Sequence, residues 1–309
     1  MASETGFMHC GVATARRLDE ESDRLEAWLK EGRQGEMHYM ERYFDERLDP
    51  RRLLKGCRSV IVLLHNYFPD SAWNSADPSL PRSHSMRTQN PTNPKIARYA
   101  WGEDYHRVLK DKMHHLVERM KFEFGNFNYR VFTDSAPLLE KSWASLAGAG
   151  WIGKNTNLLQ KQTGSYFFLS EILCDLELEP DDPVQDHCGQ CTRCIDACPT
   201  HALEAYRLDA SKCISYLTIE LRQNIPEQFE NQMDGWAFGC DICQEVCPWN
   251  RFSKPHQEPR FQPLQASWPS AEEWLSMSES EFEAKFQHSP ITRAGLGGMQ
   301  KNIRFLTIP

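Results

Sequence analysis

The sequence predicts an α+β fold, and three observations carry that prediction. Helix-like and strand-like apolar patterns alternate through residues 1–180. Cysteines then crowd the stretch from Cys188 to Cys247. Beyond residue 250, Ser270 and Ser278 each stand three residues ahead of a glutamate, Glu273 and Glu281, the pattern of a capped helix start. A chain of 309 residues has room for more than one compact unit. The expected division is a mixed domain at 1–180, a cysteine-rich module at 181–250 and a short helical C-terminal segment at 251–309.

The elements follow in order. In "DEESDRLEAWLKEGRQGEMHYMERYF", Leu25, Trp28 and Leu29 share a helical face, and Gly32 and Gly35 interrupt the pattern. Residues 59–68, "SVIVLLHNYF", form a short β-branched apolar run and predict a buried strand. Residues 106–124 place Leu109, Met113, Leu116, Val117 and Met120 on one helical face. "YRVFTD" (129–134) reads as a strand, "APLLEKSWASLAGAG" (136–150) as a helix ending in small residues, and "SYFFLSEILCDLEL" (165–178) as a strand. The acidic, proline-bearing "EPDDPVQDH" (179–187) marks the boundary before the cysteines. Near the C-terminal end a short helix is expected to carry Arg293, Lys301 and Arg304.

Composition narrows the function classes. Hydrophobic residues make up 40 %, enough for a core and too many for a disordered chain. No apolar run approaches the ~20 residues of a membrane helix. The opening stretch lacks a basic segment followed by an apolar one, so the expectation is a cytoplasmic protein without a membrane partner. Eleven cysteines in a reducing compartment point to metal ligation rather than disulfides. A net charge of −8 argues against general affinity for nucleic acid. Residues 78–102 nevertheless lack Asp and Glu while holding Arg82, Arg87, Lys95 and Arg98, either a solvated loop or a phosphate-facing one.

The cysteine spacing is the sharpest signal. Cys188, Cys191, Cys194 and Cys198 follow C-x2-C-x2-C-x3-C-P, a bacterial pattern whose fourth cysteine serves another cluster. The second run, Cys240-x2-Cys243-x3-Cys247-Pro248, lacks a first cysteine, and Cys213 can supply it. The exchange gives Cys188, Cys191, Cys194 and Cys247 to one four-iron cluster, and Cys198, Cys213, Cys240 and Cys243 to the other. The module thus reads as a bacterial-ferredoxin-like domain with two [4Fe-4S] clusters. Structural zinc is the alternative for C-x2-C pairs, but two runs ending in x3-C-P fit iron–sulfur better. Cys10, Cys57 and Cys174 fall outside the pattern and are expected to be small buried residues. Neither G-x-G-x-x-G nor a P-loop is present to name a nucleotide cofactor.

"VFTDSAPLLEKSWASLAGAGWIGKNTNLL" (131–159), "RYAWGEDYH" (98–106) and "CISYLTIE" (213–220), together with the two cysteine runs, resemble epoxyqueuosine reductase. The resemblance runs from "GEMHYM" (35–40) to about residue 304. It implies a nitroreductase-like domain that holds cobalamin beside the two-cluster module, an architecture similar to that of reductive dehalogenases. The implied reaction reduces the epoxide of epoxyqueuosine, at the tRNA wobble position, to the alkene of queuosine, the last step of queuosine biosynthesis. The implied partners are a tRNA carrying epoxyqueuosine and an external low-potential electron donor, with the protein a monomer. A cobalamin enzyme acting on a small organohalide is the rival reading.

The resemblance also assigns roles. Asp134 matches the proposed general acid, for a carboxyl group at a strand end can protonate a departing oxygen. From the residues alone a cap on the helix near Ala136 is the favoured reading, which the resemblance reverses. Asp241 and Ile242, beside the second cluster's cysteines, are expected to touch the corrin, with Ser215 and Arg222 on the same face. Lys154, Asn155, Thr156 and Asn157 offer polar groups for the corrin amides or the nucleoside, or else serve an ordinary turn. Tyr105 and His106 are expected to face the substrate. "DYHRVL" departs from D-x-H-x-x-G, with Leu109 in place of Gly, so no protein histidine is expected on cobalt. His106, His114 and His115 read as helix surface or core. Many family members continue into a helical-repeat tail that contacts tRNA, which this sequence lacks. The tRNA load then falls on the 78–102 loop, Arg51, Arg52, Lys55, Arg58, Arg293, Lys301 and Arg304, and binding should be weak and salt-sensitive.

Overall fold

The computed structural model describes residues 1–69, 93–265 and 267–307. In chain order these begin with β1 (His9–Thr14), α1 (Asp19–Lys30), α2 (Phe44–Leu48), α3 (Pro50–Leu53), β2 (Ser59–Asn66) and β3 (Lys95–Ile96). There follow α4 (Tyr105–Phe124), β4 (Tyr129–Phe132), α5 (Glu140–Leu146), β5 (Trp151–Ile152), β6 (Leu158–Leu159) and β7 (Phe167–Cys174). The cysteine-rich stretch holds α6 (Arg193–Asp196), β8 (Leu203–Glu204), β9 (Arg207–Leu208), α7 (Ile214–Ile219), β10 (Trp236–Phe238) and α8 (Ile242–Glu245). The last three are α9 (Ala271–Ser276), α10 (Glu279–Phe286) and α11 (Gly295–Leu306).

An antiparallel sheet in the order β1-β2-β7-β4 organises the first part. Both faces of β2 are covered, which explains its unbroken apolar run. Ile61 and Leu63 point into a core under α4, while Val60, Val62 and Leu64 point into the opposite core under α5. The side chain of Asp104 accepts the N–H of His106 and caps α4, and Gly125 in the left-handed region ends the helix. Between these limits Val108, Leu109, Met113, Leu116, Val117 and Met120 are buried, so the predicted stripe is the packed one. On the other face Trp143, Ala144 and Ala147 of α5 press against β1 and β2. A Cβ at Gly11 would lie 2.0 Å from the Ala147 carbonyl oxygen, so only glycine lets β1 pass this close to the end of α5.

The expected strands and helices are present, most of them shortened at their ends; α5 occupies 140–146 of the predicted 136–150, α4 keeps its length, and Arg293 lies on the turn before α11 while Lys301 and Arg304 lie on it. β1 was not expected. Cys10, expected to be buried, is exposed on the edge strand β1, whereas Cys57 and Cys174 are buried as expected. The parts of the chain interlock through β3 and β10, which pair in parallel. The capping boxes at Ser270 with Glu273 and Ser278 with Glu281 both form. The helices they open pack with α11 over β10, around Trp274, Phe286 and Met299. Asn302 of α11 is fully buried, and its amide donates to the carbonyls of Thr218 and Ala237 at 2.7 and 2.8 Å.

Candidate active site and cluster centre

The cysteines fall into two groups. Cys188, Cys191, Cys194 and Cys247 line one cavity of about 210 Å³, beside Lys154, His187 and Trp249. The Cys247 thiol faces Cys188 and Cys191, and Cys194 faces Cys247 and Cys188. In the other group Cys240 faces Cys243 and Cys213, and Cys213 faces Cys198. Cys243 lies between the groups, facing Cys213, Cys194 and Cys198. Among the described residues no three His, Cys, Asp or Glu side chains form a group suited to a single metal ion. Four thiols spread around a cavity suit a bulky cluster better than one ion. The buried indole N–H of Trp151 is aimed at the Cys188 thiol, as a donor to a cluster ligand would be. Burial pushes the Cys240 and Cys243 thiols up, so thiolates there need the compensating charge of bound iron.

The "GKNTN" turn joins the first domain to this centre. Lys154 Nζ donates to the carbonyls of Gly189 and Cys191 at 2.6 and 3.1 Å. Asn155 is buried, accepts the N–H of Asn157 and donates to the Cys243 carbonyl at 3.4 Å. Asn157 Nδ2 points at Cys243 Sγ from 3.8 Å. Thr156 takes a left-handed φ of 62°, and its carbonyl accepts Lys141 Nζ at 2.9 Å. Lys154, Asn155 and Asn157 therefore grip the cysteine loops rather than projecting free polar ends. Asp241 is likewise turned inward: its carboxylate accepts the backbone N–H and guanidinium of Arg98 at 2.9 and 3.0 Å. Burial still raises Asp241 to about 6, against the pull of Arg98. Ile242 opens α8 half-buried. Ser215 presents its backbone N–H to the Cys213 thiol. Arg222 reaches away, to the carbonyl of Arg293, while its N–H meets Glu36.

Asp134 stands where β4 runs out, with φ 53° and its side chain 64 % exposed. It caps no helix, because α5 starts at Glu140 and has no side-chain cap. Tyr105 Oη donates to Asp134 Oδ2 at 2.5 Å. His106 lies between two carboxylates, with Nδ1 2.7 Å from Asp104 Oδ1 and Nε2 3.7 Å from Asp134 Oδ2. Its ring stacks on Tyr105 at 4.2 Å between centroids. His106 is thus part of this site, whereas His114 and His115 are exposed on α4.

Four further residues meet Asp134 that the sequence reading did not single out. The backbone N–H of Asp134 donates to Glu140. Glu140 is raised to about 7, first by burial and then by the charge of Asp134. Behind it Glu171 is fully buried, and burial raises it further. Lys141 is open to solvent yet walled by protein; burial lowers its pKa against the charges of Cys243, Asp134, Glu140 and Cys213. Tyr39 faces Asp134 and the ion pair of Arg293 with Glu220 at 3.0 Å. Lys141 thus stands between Asp134 and Cys243 and Cys213 of the second cysteine group. A glutamate inside the apolar run "FFLSEILC" was the available hint of Glu171.

Most of the basic residues expected to meet phosphate have internal partners. Arg51 pairs with Asp49, Arg52 with Asp45, Arg58 with Glu177, and Lys95 with Asp234. Arg98 is buried on Asp241 and Glu245 and is no phosphate-facing group, because it locks the 93–100 segment to α8. Lys301 Nζ is taken by the carbonyls of Leu221 and Gln223. Lys55 and Arg304 are exposed without an ion pair among the described residues. Arg82 and Arg87 lie outside the described residues.

Comparison with known proteins gives the same picture. Residues 47–135 match the family model described as epoxyqueuosine reductase QueG, DUF1730, and residues 187–250 match the 4Fe-4S double cluster binding domain. The epoxyqueuosine reductase of Cellulophaga algicola is 48 % identical over 307 residues, 99 % of this chain and 95 % of the relative. That of Escherichia coli is 40 % identical over 296 residues, 94 % of this chain and 75 % of the relative. A crystal structure of epoxyqueuosine reductase with an epoxyqueuosine-modified tRNA-Tyr stem loop superposes with a TM-score of 0.87 at 30 % identity, covering 99 % of this chain and 78 % of that one. A Bacillus subtilis structure, described as having its catalytic loop swung out of the active site, gives 0.84 at 29 % identity, covering 99 % and 78 %. With identity this high along almost all of its length, and with the carboxylate site and paired cysteine runs in one molecule, the chain belongs to the epoxyqueuosine reductase family.

Proposed function

We infer that this protein reduces the epoxide of epoxyqueuosine in tRNA to the alkene of queuosine. The observation that carries the reading is that Lys141 faces both the acid, Asp134 between Tyr105 and His106, and the cysteines Cys243 and Cys213 of the second group. The balance is an epoxide, two electrons and two protons giving an alkene and water. Asp134 is assigned the proton for the departing oxygen, for which the Tyr105 hydroxyl and the His106 ring orient it. His106, held by Asp104 on its far nitrogen, is placed to return a proton to Asp134. Cys188, Cys191, Cys194 and Cys247 would ligate one [4Fe-4S] cluster, and Cys198, Cys213, Cys240 and Cys243 the other. Cobalamin, when bound, supplies the reducing metal centre that opens the epoxide. Tyr39, Lys141 and the Arg293–Glu220 pair would face it from the side of Asp134, with Ile242 and Ser215 on the cluster side. With Lys154, Asn155 and Asn157 holding the cysteine loops, their role in this reading is to seat the clusters. A nitroreductase-like first domain, the division near 180 and 250, a monomeric state, a cytoplasmic location and an external low-potential electron donor complete the proposal.

Anaerobic reconstitution followed by turnover on epoxyqueuosine-containing tRNA tests it. Asp134→Asn should keep iron content and cobalamin binding while turnover falls roughly 10²–10⁴-fold, the usual worth of a general acid. Turnover at the wild-type rate would remove Asp134 from the reaction.

A further inference from the structure

Behind Asp134 lies a pair of carboxyl groups to which the reaction above gives no role. Glu140, at the start of α5, accepts the backbone N–H of Asp134. Glu171, in the middle of β7, has no exposed surface, and neither of its oxygens has a hydrogen-bond donor among the described residues. Its carboxyl group meets that of Glu140. The charges Glu171 faces are both carboxylates, Glu140 and Asp134. Glu140 faces Asp134, Glu171 and His106, with Tyr105 nearby, and Lys141 beside it faces Glu140 and Asp134 while its ammonium donates to the Thr156 carbonyl. Two ionised carboxylates so enclosed would repel, whereas a single proton between them makes a hydrogen bond.

We propose that Glu140 and Glu171 share a proton, and that Glu140 held in this way is a positioning residue for Asp134. The proposal rests on Asp134 being the acid. A non-glycine residue with φ 53° needs an anchor, and the bond from its N–H to Glu140 is that anchor. With the proton in place, Glu171 donates to one Glu140 oxygen and leaves the other for Asp134. Once the proton leaves, two adjacent negative charges push apart and the 133–139 loop loses its hold. Burial raises both carboxyl groups, Glu140 to about 7, which puts this release at neutral pH and above.

The test compares the pH dependence of kcat in wild type, Glu171→Gln and Glu171→Leu, together with infrared spectra of the substrate-free proteins. Glutamine still donates to Glu140 but cannot titrate, so Glu171→Gln should flatten the alkaline fall in kcat. Leucine donates nothing, so Glu171→Leu should lower kcat roughly 10²-fold, as expected for a displaced acid, with KM for tRNA unchanged. Wild type should show the carbonyl band of a protonated carboxyl at neutral pH, and that band should weaken in Glu171→Gln. Superimposed pH profiles for wild type and Glu171→Gln, or no such band in wild type, would overturn the proposal. If Asp134→Asn kept full turnover while the band persisted, the assignment of Asp134 would be the part at fault.

Discussion

At the scale of single residues the site depends on how one carboxyl group is held. Tyr105 is buried, and its hydroxyl finds its partner in Asp134. A hydrogen bond to a charged group contributes about 1.5–3 kcal/mol, so Tyr105→Phe should lower kcat by roughly ten- to a hundredfold. KM for tRNA should stay near wild type, because the hydroxyl orients the acid rather than the nucleic acid. An unchanged kcat would show that Asp134 needs no such support. The cysteine runs were legible in the sequence because their spacing is local, and residues 187–250 match a 4Fe-4S double cluster binding domain. Glu140 and Glu171 were not, because their meeting is made by α5 packing on β7 and leaves no local pattern. The same holds for Lys154 and Asp241. Their residue types suited a cofactor contact, but the fold turns Lys154 onto the cysteine loops and Asp241 onto Arg98.

At the scale of elements, legibility follows length and periodicity. The twenty residues of α4 and the eight of β2 declare themselves through a helical stripe and a β-branched run. β1 carries His9, Cys10 and Gly11, too mixed to signal a strand, and is fixed instead by pairing with β2 from His9 opposite Leu64 to Thr14 opposite Ser59. β3 and β10 are two and three residues long, and only their mutual pairing makes them strands. Gly11 ties these facts to an expected outcome. A methyl group there would collide with the Ala147 carbonyl, backbone that cannot rotate away. Gly11→Ala should force β1 and the end of α5 apart and destabilise the fold by about 1–3 kcal/mol, read as a lowered midpoint in denaturant. Equal midpoints would mean that β1 can shift without loss.

At the scale of the whole molecule, the cluster module is built into its surroundings rather than hung on a linker. β10 pairs with β3 from the first part of the chain, and α11 from the last part packs against both β10 and α7. Asn302 joins these layers, its amide bridging the carbonyls at the end of α7 and within β10. Cys213 immediately precedes α7, and Cys240 lies two residues beyond β10. The position of these two thiols therefore depends on a helix near the other end of the chain. Asn302→Ala would strand two buried carbonyls, each costing about 1–3 kcal/mol, and would let α7 and β10 drift relative to each other. The expected result is a lowered melting temperature together with a selective loss of iron, toward half the wild-type content after identical anaerobic reconstitution. The remaining iron should belong to the cluster proposed for Cys188, Cys191, Cys194 and Cys247, whose cavity is lined without α11. Full iron content with only the melting temperature lowered would instead show that the second cluster forms independently of the C-terminal helix.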